Sequence, residues 1–223
     1  MKKLASSLAV AAWLCAGWAE PCAAAPITFS FTGAVTQTTF LPSDPFAGTI
    51  AVGTAFNGSY TFESTAPDGN PFASTGSYSV LNLPNLFTVN IGAGFTFSTS
   101  DALSFNVGNG APDQYSVFAC EGGPFCFGSF AALFLEDIDG AVFGSDALPL
   151  TAPPLSAFES AQFLFQGFVA GNLVQISGQL ETLVCSAGCE PVGTPVPEPA
   201  TLTLVATALG ALRLRRRRAS SAG

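Results

Sequence analysis

Between residues 25 and 184 the chain alternates apolar with small polar residues in short runs, and this period of two constrains its fold more than any other feature. Ile27-Thr28-Phe29-Ser30-Phe31-Thr32, Ser59-Tyr60-Thr61-Phe62 and Ser77-Tyr78-Ser79-Val80 are the clearest cases. Successive side chains of a β-strand point to opposite faces, so each run buries one face and leaves the other in water. Further runs occupy 87–91, 95–97, 103–107, 115–119, 125–127, 131–135, 161–168 and 173–183. Clusters such as Asp68-Gly69-Asn70-Pro71 and Gly108-Asn109-Gly110 separate most of them, and these residues are turn chemistry. No stretch in this region keeps a helical period long enough to compete. About ten strands with turns at such intervals predict an all-β fold, an antiparallel β-sandwich or a jelly-roll-like domain. Within it, Gly53 and Gly58 mark bends or close backbone approach, and Pro153-Pro154 forces an extended connector.

The chain has 21 phenylalanines, and most fall on the inward phase of the alternating runs, where a ring without a polar handle belongs in a core. Sugar-binding surfaces usually recruit exposed aromatics with a hydrogen-bonding tip. Here Trp13 and Trp18 sit in the leader, and Tyr60, Tyr78 and Tyr115 each lie inside a strand pattern.

Charge excludes whole classes of function. The seven basic residues are Lys2, Lys3, Arg213 and Arg215 to Arg218, so no positive side chain occurs from residue 4 to residue 212, and the chain has no histidine. A surface that neutralises phosphates cannot be built from this region, which rules out nucleic acid as a partner. Catalytic schemes that need His, Lys or Arg are equally unavailable, and the reading is of a protein that is not an enzyme.

The two ends read as addresses. Met1 to Lys3 form a basic start, Leu4 to Trp18 an apolar stretch, and Glu20-Pro21-Cys22-Ala23-Ala24-Ala25 a breaker followed by small residues. That is the layout of a signal peptide, residues 1–24, which forms a signal helix at the Sec translocon and is removed by signal peptidase after Ala24. At the other end Pro197-Glu198-Pro199 precedes the apolar run 200–212 and the cluster Arg213, Arg215, Arg216, Arg217 and Arg218. Arginines stay on the cytoplasmic side of a membrane, so the domain lies outside and the tail inside. A helix over 200–212 spans only about 20 Å against about 30 Å of hydrocarbon, which makes it a short transmembrane helix and a weak anchor.

This tail resembles the PEP-CTERM sorting signal, which is recognised by the membrane protease-transferase exosortase. The resemblance rests on Pro197, Glu198 and Pro199 placed before an apolar helix and terminal arginines. It implies a Gram-negative bacterium that makes exopolysaccharide, an inner-membrane intermediate, cleavage near the motif, and a final place at the cell surface or outside the cell. The order Phe29 to Gly33, then 52–62, then Ser145-Asp146-Ala147-Leu148-Pro149 before Pro153-Pro154-Leu155, then Ile176-Ser177-Gly178 is similar to a group of uncharacterised exported β domains that carry this tail. The organisation read from the chain is therefore signal peptide 1–24, β domain 25–184, Cys/Pro-rich linker 185–196, sorting signal 197–218 and terminal residues 219–223.

Removal of the leader leaves Cys120, Cys126, Cys185 and Cys189, an even number in an oxidising compartment, where disulfides are expected. Cys120 with Cys126 and Cys185 with Cys189 is the favoured pairing of three, because each pair brackets a short Gly-containing loop. A four-thiolate zinc site lacks the usual spacing in its first pair. The densest acidic run is Glu136-Asp137-Ile138-Asp139-Gly140, with Asp146 nearby. Asp137, Asp139 and Asp146 could hold calcium with backbone carbonyls, while Asp-x-Asp-Gly is also a plain hairpin turn. No other cofactor is indicated. Two readings of function follow: an exported, exosortase-sorted surface or matrix protein of the exopolysaccharide layer and biofilm, or a module that binds a glycan or calcium.

Overall fold

The computed structural model describes residues 26–40, 46–81, 86–123, 126, 128–169 and 171–189. The leader, the Pro-Glu-Pro motif, the apolar run and the arginine cluster lie outside the described residues.

The alternating runs become strands: β1 (Pro26–Thr39), β2 (Ala55–Glu63), β3 (Thr75–Leu81), β4 (Leu86–Ile91), β5 (Phe95–Thr99), β6 (Ala102–Gly108), β7 (Asp113–Cys120), β8 (Phe130–Asp137), β9 (Ser160–Val169) and β10 (Asn172–Ala187). Of the expected run 125–127, Phe125 and Phe127 lie outside the described residues; Cys126 lies between β7 and β8, with a φ of 52°.

The strands form one antiparallel ten-stranded sheet in the order β3-β6-β7-β8-β9-β10-β1-β2-β4-β5. The expected all-β antiparallel architecture is what forms, a sandwich-like arrangement made by a single sheet that curls over its own core. The long central pair makes the bend. β1 and β10 carry register shifts between Thr28 and Phe29, Thr32 and Gly33, and Val35 and Gln37, and such bulges bend a strand and increase its twist. Curling brings inward rings of distant strands together. Phe56 of β2 meets Phe163 of β9 at 4.8 Å between ring centroids, Phe62 of β2 meets Phe105 of β6 at 4.9 Å, and Phe95 of β5 meets Phe165 of β9 at 4.7 Å. Fully burying each such ring stabilises the fold by about 2 kcal/mol.

Gly58 and Gly53 do what their positions imply. A Cβ on Gly58 would run into the Phe31 ring and the Thr88 carbonyl, so the glycine is the seat for that ring. Gly53 turns the chain at a φ of 89° and donates its N–H to the Val35 carbonyl at 2.8 Å. Pro154 is extended, at φ −69° and ψ 117°, as the double proline requires. β10 continues through Cys185 to Ala187 in register with β1. The end of the domain therefore moves from residue 184 to the Cys185–Cys189 bridge, because residues 185–187 are ladder and not linker.

Candidate functional site

Period-two alternation places two acids on the inward phase. Asp113 opens β7 ahead of Tyr115 and Val117, and Asp137 closes β8 after Leu133 and Leu135. The two stand directly opposite each other in the ladder, and both are buried. A buried carboxylate without a cation needs several hydrogen bonds. Asp113 accepts the N–H groups of Gly110 at 2.8 Å, Val142 at 2.8 Å and Phe143 at 2.7 Å. Burial pushes its pKa upward, but the N–H donors of Phe143, Gly110 and Val142 outweigh this and hold it below the usual carboxylate range. Asp137 accepts from Asp139 at 3.3 Å and Ala141 at 2.7 Å. With its amide turned so that the nitrogen faces Phe143, Asn109 adds to the clasp, donating to the Phe143 carbonyl at 2.8 Å and accepting the Ser145 N–H at 3.2 Å.

The proposed calcium trio falls in this corner and does not converge. Asp137 points its oxygens at its own turn, Asp139 is exposed, and Asp146 enters the corner through its backbone carbonyl, which accepts the Tyr78 hydroxyl at 2.9 Å. Among the described residues no three metal-binding side chains come together. The Asp-x-Asp-Gly sequence is spent on the turn after β8. Asp113, which sequence reasoning passed over, is the pivot of the corner. Its signal was present: an acid on the inward phase of an otherwise apolar run.

The outward phase of β10, β1, β2, β4 and β5 makes a second candidate. It is rich in hydroxyls and amides whose members pair across strands, with Leu86, Leu173 and Val184 exposed among them. Thr28 pairs with Thr61 at 2.9 Å, Ser30 donates to Ser186 at 2.9 Å, Thr32 pairs with Thr182 at 2.7 Å, Thr88 with Ser98 at 3.0 Å, and Thr96 donates to Asn90 at 2.9 Å. The acids on these five strands are Glu63, at the end of β2, and Glu181, at a β1–β10 register shift. Sheet geometry spaces the groups about 4.8 Å apart across strands and roughly 6.7 Å along them.

All three tyrosines face inward. Tyr60 and Tyr115 share a buried hydroxyl contact of 3.1 Å, and burial, followed by the neighbouring Tyr115, pushes Tyr60 well above the usual phenol range. Tyr78 is 5% exposed. The described residues also form open depressions. One, of about 320 Å³, is lined by the loop from Val142 to Pro154. Another, of about 340 Å³, is neutral and polar, with Ser74, Thr75, Asn106, Asn109, Gln114 and Ser116 on its walls.

The cysteines pair as the short loops suggested, Cys120 with Cys126 and Cys185 with Cys189, at Cα separations of 4.9 and 6.1 Å. Disulfides of this kind fit an oxidising compartment outside the cytoplasm. No family model, curated protein or solved structure matches this chain.

Proposed function

We propose that the protein is an exported, noncatalytic component of a bacterial surface or extracellular matrix, sorted by exosortase through its Pro197-Glu198-Pro199 tail and associated with exopolysaccharide. In this reading the Sec translocon delivers the chain, signal peptidase removes residues 1–24, and the tail holds the domain at the inner membrane of a Gram-negative cell until it is processed. The observation that carries the reading is the hydroxyl- and amide-rich outer face of β10, β1, β2, β4 and β5, a curved surface with only Glu63 and Glu181 as charges among its strands, which can exchange hydrogen bonds with a hydrated polymer over a large area. The disulfides support export.

The test begins with mass. Protein recovered outside the cell is expected to end near Pro199, and Glu198→Ala is expected to leave the chain in the inner membrane. A secreted form that keeps Arg213 to Arg218 overturns the sorting reading. The face is tested separately, by co-sedimentation with the cells' own exopolysaccharide. Thr32→Glu with Thr61→Glu is expected to release the folded domain from the polymer fraction.

A second reading, a discrete glycan-binding module, is favoured by the neutral depression between Thr75 and Gln114. Saturable binding of a short oligosaccharide that is lost in Gln114→Ala and kept in the Thr32/Thr61 variant would select it.

A further inference from the structure

A sheet of this kind has two edge strands, β3 and β5, and among the described residues only the β3 edge is covered. At the β3 edge, the Asp68 carboxylate accepts the Ser77 N–H at 2.9 Å, and the Gly69 N–H donates to the Ser77 carbonyl at 2.8 Å, so a loop occupies the position of the next strand. Among the described residues, no backbone group hydrogen-bonds to the β5 edge away from β4. Natural proteins guard open edges with lysine, proline or a bulge. β5 has none of these: it reads Phe95-Thr96-Phe97-Ser98-Thr99, and its pairing with β4 runs without a register shift.

We propose that β5 is the surface through which two copies of this chain pair, strand against strand and antiparallel, about a two-fold axis at Phe97. The sequence is self-complementary in that arrangement. Phe97 faces Phe97 and Phe95 faces Thr99 on the inner side, where these three residues are already shielded, at 6%, 7% and 6% exposure. Thr96 faces Ser98 on the outer side, where both are exposed. Hydroxyl pairs across strands are a stabilising combination. A two-fold contact repeats every charge of the strand, and β5 carries none, so no like charges are set against each other along it. The pairing joins the hydroxyl faces of the two copies into one surface of doubled width. The inference stands on the strand alone and does not depend on how the protein is sorted.

The register makes the test specific. In full-length protein, Thr96→Cys mixed with Ser98→Cys is expected to give a disulfide-linked dimer under mild oxidation, at least tenfold more than either variant alone, because position 96 of one copy meets position 98 of the other. The double variant Thr96→Lys, Ser98→Lys is expected to sediment as a monomer at concentrations where the parent chain is a dimer. Mixing it with Thr96→Glu, Ser98→Glu is expected to restore the dimer. The proposal is overturned if the cysteine mixture links no better than its separate components, if the parent is monomeric throughout, or if association survives the lysines, which would place it in another part of the chain. If the lysine variant fails to fold, the cysteine experiment decides alone.

Discussion

The buried corner at Asp113 and Asp137 and the open face at Thr32 and Thr61 solve the same problem in opposite ways. Both must satisfy polar side chains in a domain without a single cationic partner. In the corner each carboxylate is committed to backbone N–H groups, and the loop from 138 to 147 is held in place by those bonds. On the face, hydroxyls and amides bond to one another and remain in reach of water. A buried unsatisfied group costs far more than an exposed one. Stability is therefore concentrated in the corner, and the face is free to vary and to bind.

The largest expected effect tests this asymmetry directly. Asp113→Ala leaves three backbone donors without their acceptor and is expected to cost about 3 kcal/mol in denaturant unfolding. Asp139→Ala, two residues from Asp137 but exposed, is expected to stay within about 0.5 kcal/mol. Equal losses would break the comparison.

Acid titration comes next. An unfolded aspartate titrates at about 3.9, and folded Asp113 titrates lower. Between those values the unfolded chain takes up a proton while the folded carboxylate stays ionised. Its contribution is thus complete above the unfolded value and is lost as pH falls through the folded one. Asp68 is lowered in the same direction by the Ser77 and Asn70 N–H groups and shares this limb. Thermal melts from pH 6 downward are expected to show a fall that flattens in Asp113→Asn.

On the face, the double change Thr32→Val and Thr182→Val removes a 2.7 Å hydroxyl pair and is expected to alter stability by less than about 1 kcal/mol, since strand propensity is kept and both positions are exposed. A loss comparable to Asp113→Ala would make the face structural as well. The smallest effect is that of salt. Screening the uncompensated acids is expected to raise Tm by about 1–2 °C between low and moderate ionic strength. Calcium and sodium are expected to act alike at matched ionic strength, since Asp113 and Asp137 are already engaged by backbone N–H groups and no three metal-binding side chains come together among the described residues; a calcium-specific rise would reopen Asp137, Asp139 and Asp146 as ligands.

Strand positions were legible because alternation is a local signal, and Ile27 to Thr32 or Leu103 to Val107 can be read without knowing a neighbour. The cysteine pairing was legible for the same reason, since Cys120 and Cys126 close a loop of their own. Curvature was not. It depends on where β1 slips against β10, more than a hundred residues away in sequence, and nothing local to Thr32-Gly33 announces the slip. The corner was legible in part for a related cause. The Asp-x-Asp-Gly turn after β8 is local and could be read from the sequence, whereas the decisive partner of the segment after β8 is Asp113, at the start of β7. Gly58 falls between these cases. Its sequence position flagged a close approach, but only the sheet shows that Phe31 is what approaches.

The placement of β10 has a mechanical consequence. This strand sits in the middle of the sheet, hydrogen-bonded to β9 on one side and β1 on the other, and its last residues lie beside the first residues of β1, with Ala187 opposite Thr28. The bonds of an antiparallel ladder run perpendicular to the strands. A pull entering at Cys189 and directed along β10 loads the two flanking ladders in shear, so their bonds share the force and fail together; the same pull applied across an outer strand such as β5 would open one ladder a bond at a time. Under the proposed reading, in which the tail tethers the domain, the load enters through the strand that peels least readily, along the stiffest direction of the sheet.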